Sequence, residues 1–321
     1  MFFKKSKAAD QNGSIAAPKV PESEALPQNC EVLTTEWGSR VYLLGTNEFC
    51  TKCLHNVSKV IKQLRPSVVS LQCCSTRLDD IKQDEETAFK NLQISSAFLY
   101  MKMLFIALGG NGPVSALLFK EKVLKSKQTG LSSDADLRQA FTEVKKIPNC
   151  KLHLADIPEE ILGVKSWGIP SVKERITYAR RLYKRLQTDQ NNPEDVHELE
   201  SNKDYRQQEI DKEFSSLPVF KRLFISDRDR YLAYSLKKAA EPSATDKTPT
   251  VVGIVRMEHL DGIKDNWNKS DLDVDKIASL EKNYEVYEAL KYGAVIMTFT
   301  YFMTRRIRVR KAWDLYFNVK R

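Results

Sequence analysis

The sequence predicts an α/β domain: a mostly parallel sheet flanked by helices, with a helical insert and a compositionally distinct C-terminal segment. Three observations predict it. Val41-Tyr42-Leu43-Leu44 is an apolar run that ends at Gly45-Thr46, and Ser67-Val68-Val69-Ser70-Leu71 is another. Between them Val57, Val60, Ile61 and Leu64 recur at helical spacing, and Pro66 stops the helix. A strand, a helix and a strand within about 30 residues form a βαβ unit, whose strands run parallel. Val251–Val255 is a third apolar run, far along the chain, and the intervening sequence is mostly helical in pattern.

The elements follow in order. Met1 to Asn29 is polar and carries Pro18, Pro21 and Pro27, so residues 1–29 read as a disordered leader before a domain over 30–290. Ile81 to Leu108 reads as helical, and its half from Ser96 is apolar nearly all round, as a buried helix is. Gly109-Gly110-Asn111-Gly112-Pro113 ends it. That glycine cluster follows a helix and not a strand, which argues against a phosphate cradle. Pro113 to Ser126 starts the next helix, and Ser132 or Ser133 can cap another that buries Leu137, Phe141 and Val144. Lys151–Ala155 reads as a strand. Ser171 can cap a helix carrying Val172, Ile176, Ala179, Tyr183 and Leu186. Residues 187–202 are acidic and polar, a mobile loop by composition, and helices resume from Asp204 to Ala240 around Pro218. A linker with Pro242 and Pro249 leads to the strand at Val251, which should join the same sheet.

Of 321 residues, 42% are hydrophobic, enough for a sizeable core. The formal charge is +9, and the stretch Thr304–Arg321 holds seven Lys or Arg against the single acid Asp314. A local excess of this kind points to an anionic membrane surface and away from general nucleic-acid binding. It follows the uncharged run Tyr292–Met303, which is short of the roughly 20 apolar residues a span needs. Residues 291–321 therefore form an apolar and then basic tail, which either packs on the domain or attaches to a membrane. The start, MFFKKSK, lacks the apolar core of a secretory signal. Six cysteines, at 30, 50, 53, 73, 74 and 150, then read as thiols in a reducing compartment. Cys50 and Cys53 with Cys73 and Cys74 have poor spacing for a zinc clip, although both pairs follow strands expected to be neighbours.

Several motifs resemble the TraB/PrgY family, most of all its intracellular eukaryotic branch. That branch reads V-Y-x-x-G-T-A-H-F-S, a helix, then P-D-V-V-x-V-E-L-C-x-x-R. This chain keeps Gly45, Thr46, Phe49, Pro66, Val68, Val69, Cys74 and Arg77. Asn47-Glu48 stands where the family has Ala-His, and Gln72 where it has Glu. Leu137 to Asp156 resembles F-R-E-A-F … V-P-x-C-K-x-H-L-G-D-R-P, with Asp156 and Pro158 kept and Ile157 in place of Arg. Ser226 to Leu232 resembles S-E-R-D-x-Y-L and keeps Arg228 and Asp229. Val251 to Ile263 resembles V-V-G-V-V-G-M-G-H-V-P-G-I; His259 survives, while Arg256 and Glu258 replace glycines.

The resemblance implies an α/β fold with the motifs at one end of the sheet, and a metal-dependent hydrolysis in secreted relatives. Such chemistry needs metal ligands and a carboxylate that handles protons. Gln72 is a neutral amide and cannot serve as that base. Glu48 and His259 are the remaining candidate ligands for a divalent metal, and Arg256 and Glu258 fill space that glycines would leave open. An ionic cluster of Arg256, Glu48, Glu258 and Arg228 can then take the place of a metal. The candidate pocket comprises Glu48, Gln72, Arg77, Asp156, Arg228, Asp229 and His259. The reading these changes favour is a catalytically inactive, membrane-associated scaffold or regulator with no cofactor. Intracellular relatives are associated with the mitochondrial outer membrane, which a short tail with basic flanks suits. The alternatives are a metal-dependent hydrolase using Glu48, His259 and Asp227 or Asp229 in altered roles, and a soluble protein holding a small anion on Arg77 and Arg228.

Overall fold

The computed structural model describes residues 25–93, 98–99, 102–103, 112–188, 202–270 and 272–280. The leader up to residue 24, most of the acidic loop and the tail from 281 lie outside them. Five strands form one mixed sheet: β1 (Cys30–Thr34), β2 (Arg40–Thr46), β3 (Val68–Leu71), β4 (Lys151–Leu154) and β5 (Thr250–Arg256), in the spatial order β1-β2-β5-β3-β4. The β1–β2 pairing is antiparallel and the other three are parallel. The α/β class and the parallel sheet follow the sequence pattern. The β1 hairpin does not, because CEVLT is a half-exposed edge strand with no long apolar run.

The strands expected to be neighbours are separated. β5 pairs with β2 on one side and with β3 on the other. Its Val-Val-Gly-Ile-Val run is apolar on both faces, and a parallel strand covered on both faces belongs at the centre. Alternation along the strands divides the core into two layers. Tyr42, Leu44, Val69, Leu71, Val252 and Ile254 pack under α1 (Thr51–Leu64) and, past the short α2 (Leu78–Lys82) and α3 (Glu85–Leu92) and α4 (Gly112–Thr129), under α5 (Ala135–Val144). Val41, Leu43, Val68, Val251 and Val255 face the opposite side.

Beyond β4 come α6 (Glu159–Gly168), α7 (Val172–Thr188) and α8 (Lys203–Phe214). Then α9 (Pro218–Lys221) continues through a π-turn (Arg222–Ser226) into α10 (Asp227–Ala239), and α11 (Leu260–Trp267) and α12 (Val274–Ile277) follow β5. The insert has its own core of Val114, Tyr178, Leu182, Ile210, Phe214, Leu217 and Phe220. Phe220 and Phe224 stack, with ring centroids 5.8 Å apart.

Several local readings need correction. Ile81 to Leu92 is two helices, because Asp84 takes the Thr87 amide and caps a new start at Glu85. Neither Ser132 nor Ser133 caps α5. Asp134 occupies the cap position at φ 62°, and the serines are engaged elsewhere. Ser171 does cap α7, with Glu174 returning the bond, but the buried face is Tyr178 and Leu182. Val172, Ile176 and Tyr183 are exposed. Gln187 and Thr188 still belong to α7, and Asn202 caps α8. Cys50 and Cys53 are joined in a disulfide, where the sequence predicts thiols; Cys50 caps α1, which brings Cys53 one turn away. Cys30, Cys73, Cys74 and Cys150 are free. No helix among the described residues is long and apolar enough to cross a membrane.

Gly253 marks where α10 crosses the sheet, since a Cβ there would sit 2.7 Å from Leu236 Cδ2. Gly253→Ala should cost about 1–3 kcal/mol by overpacking. Leu236→Ala in the same chain should cancel part of that cost, so that chemical denaturation of the double variant shows clear non-additivity.

Candidate functional site

The parallel strands all end at one edge of the sheet, where α/β folds present ligand-binding loops. Asn47 and Glu48 follow β2, Gln72 follows β3, Asp156 follows β4, and Glu258 and His259 follow β5. A cavity of about 930 Å³ opens there and extends beneath the helical insert. Glu48, Gln72, Arg77, Asp156, Arg228, Arg256 and Glu258 line its sheet end. Leu118, Phe119, Phe214, Phe224 and Ile225 line its insert end.

Arg256 organises the sheet end. Its Nη1 donates to Asp136 Oδ2 at 2.5 Å, and its Nη2 donates to Asp134 Oδ1 at 2.7 Å and lies 3.4 Å from Glu48 Oε1. Arg77 Nη2 donates to the other Asp134 oxygen at 2.5 Å. Lys122 lies 3.5 Å from Glu48, Ser133 donates to Glu48 at 2.9 Å, and Thr46 donates to Asp136 at 2.5 Å. Three cations thus face three carboxylates. Asp134 and Asp136 are two of those three carboxylates, and the sequence reading missed both. The signal was local: an acid at a helix start reads as an ordinary cap or dipole partner.

The carboxylates respond to this setting in different ways. Burial would raise Glu48, but Lys122 and then Arg256 outweigh it and hold the group below its ordinary value of 4.5. Burial also opposes Asp134, yet Arg77, Lys122 and Arg256 hold it well below 3.8. For Asp136, which has no exposed surface, burial wins over Arg256 and the Thr46 bond and its pKa is raised. Burial lowers Arg256, but Asp136 and Glu48 more than compensate, so the guanidinium stays charged.

The expected four-member ionic cluster is therefore split. Arg256 and Glu48 meet, but Glu258 faces Arg206 at 3.7 Å. Arg228 holds Asp156 with two bonds, Nη2 to Oδ2 at 2.5 Å and Nε to Oδ1 at 3.2 Å. Arg77 and Arg228, the candidate anion-binding pair, each have a carboxylate partner within the chain. Asp227 bonds to Arg230 and does not line the cavity.

Gln72 is buried, and its Oε1 accepts from the Arg256 backbone N–H at 2.7 Å. A carboxylate could accept that bond equally. What glutamine adds is the Nε2 group, which has no protein partner. His259 Nδ1 lies 2.6 Å from Asp229 Oδ1, and its Nε2 has no protein partner. The π-turn advances the start of α10, so the adjacent Arg228 and Asp229 reach Asp156 and His259 respectively. Gly262 makes room for the second pair, because a Cβ there would overlap the Asp229 carboxylate.

These residues do not fit the divalent metal that the resemblance implies. The Glu48 carboxylate is held by Arg256, Lys122 and Ser133, and a guanidinium stands within 3.4 Å of it. Burial, partly offset by Arg77, pushes the nearby Cys73 thiol up to about 12, away from the thiolate a metal needs. Among the described residues, no group of three His, Cys, Asp or Glu is placed to hold a metal ion.

Removing the central cation should be costly. Arg256→Gln leaves Asp136 buried without a counter-charge and should lower stability by about 3–5 kcal/mol at pH 7. As pH falls toward the ordinary carboxylate range the variant should regain stability, because Asp136 has a raised pKa and folding then favours its protonated form. The parent should behave oppositely in acid. Glu48 and Asp134 have lowered pKa values, so the stability they contribute is present above their ordinary 4.5 and 3.8 and is lost below them. Thermal melts of both proteins across this range measure the two slopes.

No protein-family profile matches the chain. Individual relatives do. A human protein named TraB domain-containing protein is 32% identical over 269 residues, which cover 79% of this chain and 69% of the relative. Proteins of the same name from mouse and cattle are each 31% identical over 273 residues, covering 81% of this chain and 70% of the relative. With this extent of identity, and the motif order laid along one sheet edge, the chain belongs to the TraB domain-containing proteins.

Proposed function

We propose that this TraB-domain protein has exchanged a metallohydrolase-type centre for an internal ion cluster, and acts as a membrane-associated scaffold or regulator. The supporting observation is Arg256, whose guanidinium sits among Glu48, Asp134 and Asp136. In the family pattern the corresponding positions carry glycine at 256, histidine at 48 and glutamate at 72. A cation replaces an open space, and an amide replaces the base. Each change alone weakens metal binding, and together they leave the charges at the strand ends paired within the chain.

A second reading has one observation in its favour. The Asp229–His259 pair orients an imidazole whose Nε2 has no protein partner, as a ligand or a base requires. Metal analysis separates the two readings. The purified protein should carry well under one equivalent of zinc or manganese. The triple variant Glu48→His, Gln72→Glu, Arg256→Gly should carry more than the parent. Stoichiometric metal in the parent that disappears in His259→Ala would overturn the proposal in favour of the hydrolase.

Membrane association rests on the order of the tail, an uncharged run at 292–303 followed by Arg305, Arg306, Arg308, Arg310 and Lys311. Each cation near an anionic surface contributes about 1 kcal/mol at low ionic strength. A cytosol-facing membrane such as the mitochondrial outer membrane suits that arrangement. In flotation with anionic vesicles the full chain should rise with lipid, and a chain lacking 292–321 should stay at the bottom. Replacing Arg305, Arg306, Arg308 and Arg310 with glutamine should weaken binding to anionic vesicles, and added salt should weaken it in the parent. A full chain that ignores anionic vesicles at low salt would remove the membrane part of the proposal.

A further inference from the structure

The outer face of α7 is apolar and basic, and the chain itself supplies a matching segment. Ile169, Val172, Ile176 and Tyr183 are 44%, 62%, 47% and 54% exposed, although their helical spacing reads as a core-facing stripe. Exposed Lys173, Arg180 and Lys184 fall on the same stripe. Glu174 is turned away to Ser171 and the Val219 amide, so the stripe carries no acid. A continuous apolar strip edged with cations calls for an acidic amphipathic partner or an anionic surface.

The described chain ends beside this stripe. Lys165, in the last turn of α6, donates from Nζ to the carbonyls of Lys276 and Ile277, both at 2.8 Å. Ile169, the first apolar residue of the stripe, closes that same turn by donating its N–H to the Lys165 carbonyl. The chain beyond Leu280 therefore departs close to the start of α7. Its next residues read Glu-Lys-Asn-Tyr-Glu-Val-Tyr-Glu-Ala-Leu-Lys-Tyr. At helical spacing Glu281, Tyr284, Glu285, Glu288 and Tyr292 share one face; Lys282 falls outside it and Lys291 borders it. At about 1.5 Å per residue that face and the stripe from Ile169 to Tyr183 both extend roughly 20 Å.

We propose that residues 281–292 dock on the outer face of α7, their glutamates meeting Lys173 and Arg180 and their tyrosines covering Val172 and Ile176. The dock is a contact within one chain. It rests on the α7 surface and the chain exit, and it stands whether or not the later run 292–321 meets a membrane. Its consequence is geometric: a docked 281–292 fixes where residue 293 leaves the domain, and so how the cavity is oriented relative to whatever holds the tail.

Hydrogen exchange of the full chain, followed by mass spectrometry at low salt and without lipid, tests it. Residues 281–291 should exchange slowly in the parent. Charge reversal of Lys173 and Arg180 to Glu should speed that exchange several-fold, as should reversal of Glu281, Glu285 and Glu288 to Lys. Combining both reversals should restore slow exchange, an outcome that general loosening of either segment would not give. The proposal is overturned if 281–291 exchanges as an unstructured peptide in the parent, or if neither reversal changes it. It is overturned equally if protection rises with protein concentration, which marks a second copy, or arises only with phosphatidylserine vesicles, which marks a lipid surface.

Discussion

A guanidinium at the carboxyl end of the central strand governs the sheet end of the cavity of about 930 Å³. Arg256 ends β5, the strand with neighbours on both sides, so its backbone is held by the sheet and its side chain cannot avoid the strand-end edge. Water is largely excluded there, since Arg256 keeps only 11% of its side-chain surface exposed. A charge in that position is tolerated only with partners. Asp134, Asp136 and Glu48 supply them, from α5 with its preceding turn and from the loop after β2. The left-handed backbone at Asp134 follows from the same demand, because that residue must serve Arg256 and Arg77 with its two oxygens. Ion pairs of this kind add little net stability compared with apolar packing, but they define one arrangement sharply.

The other polar pairs of the edge are arranged around this cluster without joining it. Asp156 takes Arg228, and Asp229 takes His259, through neighbouring residues that the π-turn brings into register. Glu258 turns to the insert helix α8 through Arg206. The cavity is thus walled by charges that cancel within the chain at its sheet end and by aromatic side chains at the other. A ligand entering it would find few uncommitted cations. Among its lining residues, Gln72 Nε2 and Glu258 Oε2 are buried polar atoms with no hydrogen-bond partner, a neutral donor and an acceptor.

Much of the fold could be read from the chain because β2, β3 and β5 are apolar on both faces and α1 has a clear helical period. The position of β5 between β2 and β3 could not, because pairing order depends on contacts across about 200 residues that no local pattern encodes. The exposed stripe of α7 was misread for a related reason: Val172, Ile176 and Tyr183 have helical spacing, but Tyr178 and Leu182 on the other face pack against Phe214 and Phe220. Of the pocket expected from motif order, Glu48, Gln72, Arg77, Asp156 and Arg228 line one cavity, while Asp229 and His259 do not line it. Motif order gave no sign of Asp134 and Asp136, which meet Arg256 only across the folded chain. Partner choice was the illegible part: Glu258 and Arg228 have charges that suit the Arg256 cluster, and only geometry assigns them to Arg206 and Asp156.

A double-mutant cycle between Arg256 and Asp136 is the sharpest probe of the idea that one guanidinium organises the strand-end edge. Arg256→Met, Asp136→Asn and the double variant would be compared with the parent in denaturant. If Arg256 is the anchor, the double variant should be more stable than the summed single losses by at least about 1 kcal/mol. Additivity to within about 0.5 kcal/mol would mean that the two groups do not depend on each other, and the edge would need a different organising contact.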